Sequence, residues 1–249
     1  MNVRAIKTRV FKEGEDLVAF IKKYVPKVKD GSVLVVTSKI VALAEGRVAP
    51  ISGTKARDAL IRAESDVGVK TKLVWLTIKD GMFMTSAGID ASNANGKYIL
   101  LPPDSYASAH RIRKALKKHY RVKRLGVLIT DSRCLPLRAG AVGLALGYAG
   151  FKGIRDYRGT PDIFGRKLQM SRTDIADGLA SAAVVLMGEG RERTPLALIE
   201  DAPAAFVERI NRKEILIPFE EDMYRPLFKP SARASKPRRV RAASRKRAG

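Results

Sequence analysis

The sequence lacks several features that define common classes of protein. Cys134 is the only cysteine among 249 residues, so neither an intramolecular disulfide nor a thiolate zinc site can form. No segment approaches the roughly 18 uncharged apolar residues of a membrane-spanning helix, and residues 1–16 hold no continuous apolar run typical of a secretory signal. The P-loop and glycine-rich dinucleotide patterns are both missing. We therefore expect a cytoplasmic protein without membrane insertion. If it binds a nucleotide, it does so without a P-loop or a glycine-rich dinucleotide motif.

Acidic residues are scarce relative to basic ones. The chain has 48 Lys and Arg but only 25 Asp and Glu, which gives a net charge of +23. Residues 229–249 contain nine Lys and Arg and no acid, and the net charge without them is +14. We predict a disordered basic tail here, because this composition offers little apolar surface to bury. The tail would either bind polyanions weakly and nonspecifically or serve solubility alone.

Residues 1–228 are predicted to form one globular domain, since the 45% apolar content of the chain suffices to bury a sizeable core. Hydrophobic periodicity and turn residues predict the strands and helices of this domain, which indicate a mixed α/β structure. The expected strands are 2–10, 33–36, two arms around Lys79-Asp80-Gly81, 98–101, 126–130 and 196–200. The expected helices are 15–25, a short one from Ser38 to Gly46, 55–65, 105–121 and 171–187. We expect a sheet-rich lobe and a second lobe that contains the last two helices.

Several smaller patterns have structural explanations. Trp75 is expected in the core, and His110 and His119 are too far apart on one helix to share a metal ion. Glycines at 140, 143, 147 and 150 allow close backbone approach, either by a packed element or by a ligand.

Acidic residues in polar, turn-like segments are the candidates for chemistry. Asp90 lies in AGIDASN, Asp131 follows the strand GVLIT, and Glu189 lies in MGEGR, while Asp156 and Asp162 have similar surroundings. Divalent cations such as Mg²⁺ prefer oxygen ligands, and an ion bound to phosphate takes only one or two carboxylates. Spacing alone does not decide which acids converge, so each can instead cap a helix or close a turn.

Five strings in the same order resemble the family of coenzyme F-420-0:L-glutamate ligases, including its bacterial members ascribed to folate metabolism. They are LVVTSKIVALAEGR, SAGIDASN followed by LLPPD, LGVLITDS, GYAGFKGIRDYRGTPDIFGRKL and ADGLASAAVVLMGEG. The resemblance extends from about residue 3 to residue 200. It implies that residues 1–228 form a catalytic domain with a two-lobed, mixed α/β (α+β) fold, in which helices flank a mixed sheet. It also implies a homodimer.

The resemblance also implies the reaction. Such a ligase joins L-glutamate to coenzyme F-420-0 or F-420-1 through an amide, with GTP as the cosubstrate. The γ-phosphoryl group activates the acidic acceptor as an acyl phosphate, and GDP and phosphate are released. The implied cofactors are two divalent ions, Mg²⁺ or Mn²⁺, with K⁺ as a further candidate. No protein nucleophile is required, and the basic surplus of the chain suits polyanionic substrates.

Site residues carry over where the motifs match. The resemblance implies that Asp90 and Asp131 hold one metal ion and that Ser132 and Glu189 hold a second, with the three acids as catalytic carboxylates. The implied nucleotide-binding residues are Thr8, Arg9, Val10, Phe11, Ser38, Lys39, Asn93, Met187, Gly188, Glu189, Gly190 and Thr194, the last five within a loop at 187–194.

Two departures from the family pattern leave alternatives open. Leu43 stands where the family has lysine, and Lys39, one helical turn earlier, is a substitute source of charge. Cys134 and Leu135 replace the Gly-Arg pair of the family string D-[ST]-x-G-R. A glutamate ligase for a folate-like or other acidic acceptor is therefore an alternative. A more remote alternative, motivated by the net charge, is a nucleic-acid-binding protein on a ligase scaffold.

Overall fold

A computed structural model describes residues 1–227 of the chain. These residues contain five α-helices and twelve strands. The helices are α1 (Leu17–Tyr24), α2 (Ser38–Ala44), α3 (Gly53–Glu64), α4 (Ser105–Tyr120) and α5 (Ile175–Met187). The strands are β1 (Asn2–Ile6), β2 (Ser32–Thr37), β3 (Val48–Pro50), β4 (Val67–Lys70), β5 (Trp75–Lys79), β6 (Met82–Thr85), β7 (Lys97–Ile99), β8 (Leu125–Cys134), β9 (Ala141–Ala149), β10 (Ile154–Asp156), β11 (Arg172–Asp174) and β12 (Leu196–Glu200). The predicted mixed α/β class is confirmed.

The largest element is a five-stranded sheet in the order β1-β12-β2-β8-β9. Strands β2 and β8 pair in parallel, with Thr37 opposite Thr130 at the end of the pairing. The other neighbours pair antiparallel, and the register between β8 and β9 shifts at Ile129/Thr130. This shift is a bulge that changes the direction of the side chains beyond it.

Both faces of this sheet are buried, because successive residues of a strand point to opposite faces. Leu34 and Val36 of β2 join a core cluster with α1 and α4, whereas Val33 and Val35 join a second cluster with α5. The sheet therefore forms the middle layer between helices, and the predicted flanking helices are confirmed.

A smaller lobe is built from the three-stranded sheet β4-β5-β6 and α3. Its core includes Ile61 and Trp75, so the prediction that Trp75 lies in the core is confirmed. The turn at Lys79-Asp80-Gly81 joins β5 to β6 as predicted. The expected assignment of the two long helices to a second lobe is wrong, because α4 and α5 pack on the five-stranded sheet instead.

Three element boundaries differ from prediction by four residues each. The first strand ends at Ile6, where its pairing with β12 ends, and not at residue 10. Helix α5 begins at Ile175 because residues 172–174 pair with β10, and Asp174 caps it instead of a Ser or Thr. Strand β8 continues to Cys134 because it pairs with β9, so Asp131 lies inside the strand.

The glycines of β9 allow close packing of helices. A Cβ atom on Gly143 would lie 2.4 Å from the Ala180 carbonyl oxygen of α5, and one on Gly147 would lie 2.6 Å from the Ser105 carbonyl carbon of α4. Of the two explanations that the sequence leaves open, close packing therefore accounts for Gly143 and Gly147.

None of the helices within residues 1–227 is both long enough and apolar enough to cross a bilayer. The basic segment 229–249, for which we predict disorder, lies outside the described residues.

The beginning of α5 places two carboxylates close together. Asp174 Oδ1 accepts a hydrogen bond of 2.9 Å from the Asp177 backbone N–H, and Asp177 Oδ1 accepts one of 2.8 Å from Ala145 N–H. Burial, opposed by the bond from Ala145 and reinforced by the negative charge of Asp174, raises the pKa of Asp177 to about 6.

Gly143→Ala should lower the free energy of unfolding by about 1 to 3 kcal/mol, because the added methyl group would overlap the backbone of α5. Gly178→Ala is the matched control, since no heavy atom lies within 4 Å of a Cβ added there. Within a helix that change should raise the free energy of unfolding by about 0.5 to 1 kcal/mol. Urea unfolding measures both, and equal effects at the two positions would contradict the packing explanation.

Asp177→Asn should remove part of the pH dependence of stability. The raised pKa keeps the folded protein protonated where the unfolded chain has lost that proton, so Asp177 makes the fold less stable as the pH rises from about 4 to about 6. Asn can accept the same hydrogen bond without ionising. Relative to the original protein, the variant should gain on the order of 1 to 3 kcal/mol across that interval in urea unfolding. Parallel pH profiles for the two proteins would rule out this assignment.

Candidate functional site

A cavity of about 620 Å³ lies at the end of the sheet where β2 leads into α2. It is lined by residues 8–11, 37–40, 43, 93, 99, 130–132, 184 and 187–195. These segments are distant in sequence and converge because β1, β12, β2 and β8 are neighbours in the sheet. A second cavity, of about 300 Å³ near Asp104 and Tyr106, contains none of the predicted site residues.

Strand pairing brings Ser38 next to Asp131. The parallel register ends with Thr37 opposite Thr130, so the next residue of each strand lies at the same end of the sheet. The Ser38 hydroxyl donates a hydrogen bond of 2.9 Å to Asp131 Oδ1. Asp131 is therefore held in a fixed orientation at the wall of the cavity.

Asp90 is held at the edge of the cavity by Lys39. The Lys39 Nζ lies 2.6 Å from Asp90 Oδ2 and donates a bond of 2.8 Å to Ser92 Oγ. Ser92 in turn donates from its backbone N–H and its hydroxyl to the Asp90 carboxylate. Burial alone raises the pKa of Asp90, but the bonds with Lys39 and Ser92 together lower it below its usual value.

Asp131 has a different electrostatic environment. Burial raises its pKa, while the nearby cations Arg133 and Lys39 and the hydrogen bond from Ser38 oppose this rise. The negative charge of Asp90 adds to the rise in the pKa of Asp131. Protein cations thus partly neutralise both carboxylates.

Arg133 is a residue of this environment that the sequence patterns do not single out. Its Nη2 lies 3.9 Å from Asp131 Oδ2, and its side chain is only 4% exposed. The single signal in the sequence is its position two residues after Asp131, which places both side chains on the same face of a strand.

The loop at 187–195 closes the cavity by bonding to three other segments. The Thr8 N–H donates to Arg193 O at 2.8 Å, and the Thr37 N–H donates to Pro195 O at 3.0 Å. The Asn93 side chain reaches Gly190 O at 3.4 Å. Glu189 is exposed and lines the cavity.

The structure brings together nearly all of the predicted site residues. Every residue predicted to bind nucleotide lines the cavity, and Asp131, Ser132 and Glu189 line it as well. Asp90 does not line it directly but contacts Lys39, which does. Across residues 1–227, no three His, Cys, Asp or Glu side chains form a group that could hold a metal ion. The assignments to metal and nucleotide stay predictions.

The other acids have structural roles. Asp156 forms an ion pair of 2.6 Å with Arg158. Asp162 closes a turn by accepting hydrogen bonds from the backbone N–H groups of Phe164 and Arg166.

The two departures from the family pattern lie in different places. Leu43 lines the cavity together with Lys39, so a lysine is present one helical turn away from the substituted position. Cys134 is exposed at the end of β8, and Leu135 is 42% exposed just beyond it. The second departure therefore lies outside the lining of the cavity.

Comparison with known proteins identifies relatives over most of the chain. Residues 5–201 match the model of a family described as F420-0:Gamma-glutamyl ligase. The coenzyme F420:L-glutamate ligase of Archaeoglobus fulgidus is 33% identical over 88% of this chain and 94% of its own length. The corresponding ligases of Methanocaldococcus jannaschii and Methanosarcina barkeri are 31% and 33% identical over 90% and 84% of this chain, and over 97% and 89% of their own lengths.

Proposed function

The chain belongs to the F420-0:γ-glutamyl ligase family, and we propose that it joins L-glutamate through an amide bond to an acidic acceptor, coenzyme F-420-0 or its monoglutamyl form. The observation that carries the proposal is the convergence of five separate segments on one cavity. Those segments contain the residues for which the family resemblance implies nucleotide and metal contacts. A further support is that the relatives named as coenzyme F420:L-glutamate ligases match nearly their whole length.

We propose GTP as the cosubstrate. The cavity lining includes four cationic side chains, Arg9, Lys39, Arg191 and Arg193, and cationic side chains suit a triphosphate. Arg9 is paired with Glu15 at 2.9 Å and Lys39 with Asp90 at 2.6 Å. The loop at 187–195 also contains Gly188 and Gly190, and the Gly190 N–H donates a hydrogen bond of 2.8 Å to the Glu192 carboxylate. A phosphate oxygen that accepts from this N–H would take the place of that carboxylate. Asn93 bonds to this loop and is thereby positioned at the same cavity.

The residues present fit divalent cations. Asp90, Asp131, Ser132 and Glu189 offer only oxygen atoms, which Mg²⁺ and Mn²⁺ prefer, and an ion shared with phosphates needs only one or two carboxylates from the protein. When bound, such ions neutralise charge on the phosphate oxygens during transfer. The Ser38 hydroxyl and Lys39 hold Asp131 and Asp90 in place.

The proposed reaction proceeds through an acyl phosphate. An oxygen of the acceptor carboxylate attacks the γ-phosphorus of GTP, and GDP leaves. The amino nitrogen of glutamate then attacks the acyl carbon, phosphate leaves with the carboxyl oxygen, and the nitrogen loses a proton. Lys39 and the arginines of the cavity wall attract the anionic reactants and offset their mutual repulsion. A folate-like or other acidic acceptor is the alternative that the sequence leaves open at Cys134 and Leu135, although neither residue lines the cavity.

We also propose that the chain forms a homodimer. The loop between β10 and β11 exposes Ile163, Phe164 and Met170, each by at least 75%. Large apolar side chains grouped in this way are typical of a surface that another protein covers. A second copy of the chain is the partner that the family resemblance implies.

Asp131→Asn should reduce nucleotide-dependent incorporation of labelled glutamate by at least about 100-fold. The neutral amide is a poorer ligand than the carboxylate for the divalent ion that neutralises charge on the phosphate oxygens. The assay contains purified protein, GTP or ATP, Mg²⁺ or Mn²⁺, and a deazaflavin or folate-like acceptor. Asp156→Asn is the matched control, since Asp156 pairs with Arg158 away from the cavity.

Full activity of the Asp131 variant with an unchanged thermal unfolding curve would contradict the assignment of Asp131 as a catalytic metal ligand. Incorporation with folate-like acceptors only would favour the alternative acceptor. Failure of every acceptor and nucleotide would refute the ligase proposal itself.

Phe164→Glu should shift the protein from dimer to monomer in light scattering coupled to size exclusion, because a charged group in an apolar interface loses its hydration. Leu73→Glu is the matched control, as Leu73 is 92% exposed in the loop between β4 and β5. A monomer before any substitution, or a Phe164 variant that stays dimeric, would contradict this interface.

A further inference from the structure

Two of the carboxylates proposed as metal ligands already have a cation of the protein as a partner. Asp90 pairs with Lys39 at 2.6 Å, and Asp131 lies 3.9 Å from Arg133. Each acid therefore presents little net charge to an approaching ion. A divalent cation that binds here has to compete with a lysine and an arginine.

The pairing of Arg133 is unlike that of the other deeply buried arginine. Arg113, 5% exposed, donates to Leu125 O and makes two bonds of 3.0 Å with Glu208. Arg133, 4% exposed, has no hydrogen bond from any of its three guanidinium nitrogens to the described residues. A buried charge without hydrogen bonds depends on a nearby opposite charge. Asp131 is the carboxylate within 4 Å of Arg133, and the more distant charge of Asp177 also favours the charged guanidinium.

The two cations differ in their freedom to move. Arg133 lies within β8, two residues from Asp131 on the same face, and its side chain is buried. Lys39 lies in the first turn of α2 with its side chain 30% exposed, and it lines the cavity. Lys39 can therefore turn from Asp90 to a phosphate group, whereas Arg133 keeps its place beside Asp131.

We infer that Lys39 and Arg133 are internal counter-ions that prevent a divalent cation from binding to Asp90 and Asp131 alone, so that the metal binds together with a nucleoside triphosphate. Lys39 and Arg133 offset the negative charges of Asp90 and Asp131, and the triphosphate supplies the further negative charge that the divalent cation needs. This inference rests on the proposed metal and nucleotide site. It assigns Lys39 and Arg133 as positioning residues that make metal binding conditional on the nucleotide.

The test is a titration of the purified full-length protein with Mn²⁺ alone, followed by electron paramagnetic resonance of the free ion. Lys39→Met and Arg133→Met should each bind Mn²⁺ at least about tenfold more tightly than the original protein, because a unit charge about 4 Å from the site is removed. Arg133→Lys retains the charge and should bind Mn²⁺ much as the original protein does. A merely structural role of either cation predicts no such gain.

Lys97→Met is the matched control. Lys97 pairs with Glu13 at 2.6 Å, the same length as the pair between Lys39 and Asp90, but neither residue lines the cavity. Its loss should leave the affinity for Mn²⁺ unchanged. The double variant Lys39→Met, Asp90→Asn should lose the gain in Mn²⁺ affinity that Lys39→Met alone shows. That result would place the bound ion next to Asp90.

The inference is overturned if Lys39→Met binds Mn²⁺ no more tightly than the original protein, or if the original protein binds Mn²⁺ equally well with and without GTP. The Lys39 side chain is partly exposed, so we expect Lys39→Met to fold. Its affinity for Mn²⁺ therefore tests the inference even if Arg133→Met does not fold. These readouts need no turnover. A protein that shows the expected Mn²⁺ behaviour but incorporates no glutamate would refute the ligase proposal and leave the counter-ion inference standing.

Discussion

The parallel pairing of β2 with β8 is the constraint on which the candidate site depends. It ends with Thr37 opposite Thr130, and the next residues, Ser38 and Asp131, are joined by a hydrogen bond. The antiparallel strand β12 on the other side of β2 brings the loop at 187–195 to the same end of the sheet. Because backbone hydrogen bonds set the register, these segments meet at a fixed geometry and not through flexible contacts.

Asp90 and Asp131 each have a cation of the protein at short range. Lys39 compensates Asp90, and Arg133 compensates Asp131, although the chain as a whole carries a large positive excess. Net charge therefore says little about the site, since opposite charges a few ångströms apart dominate there whereas distant surface charges are screened by salt. The basic face of α4 illustrates the difference. Arg111 and Lys114 are exposed there, while Arg113 between them is buried and paired with Glu208.

Helix packing on both faces of the sheet requires small residues in β9. Gly143 lets α5 approach and Gly147 lets α4 approach, so one strand serves both layers. The C-terminal end of α5 then contributes Val184 and Met187 to the cavity wall. The close approach of α5 at Gly143 thus helps to set the position of this wall, although Gly143 carries no charge and does not line the cavity.

The sequence by itself determined the mixed α/β class and the hairpin between β5 and β6, and its ordered motifs pointed to the family and to many of the residues that line the cavity. These follow from local patterns: hydrophobic periodicity, turn residues and ordered motifs are properties of short segments. Only the tertiary structure decided the extension of β8 past Asp131, the start of α5 at Ile175, the placement of α4 and α5 on the sheet, and the burial of Arg133 beside Asp131. Each of these depends on pairing or packing between different segments of the chain. The residue pattern of one short segment does not identify the segment with which it pairs or packs.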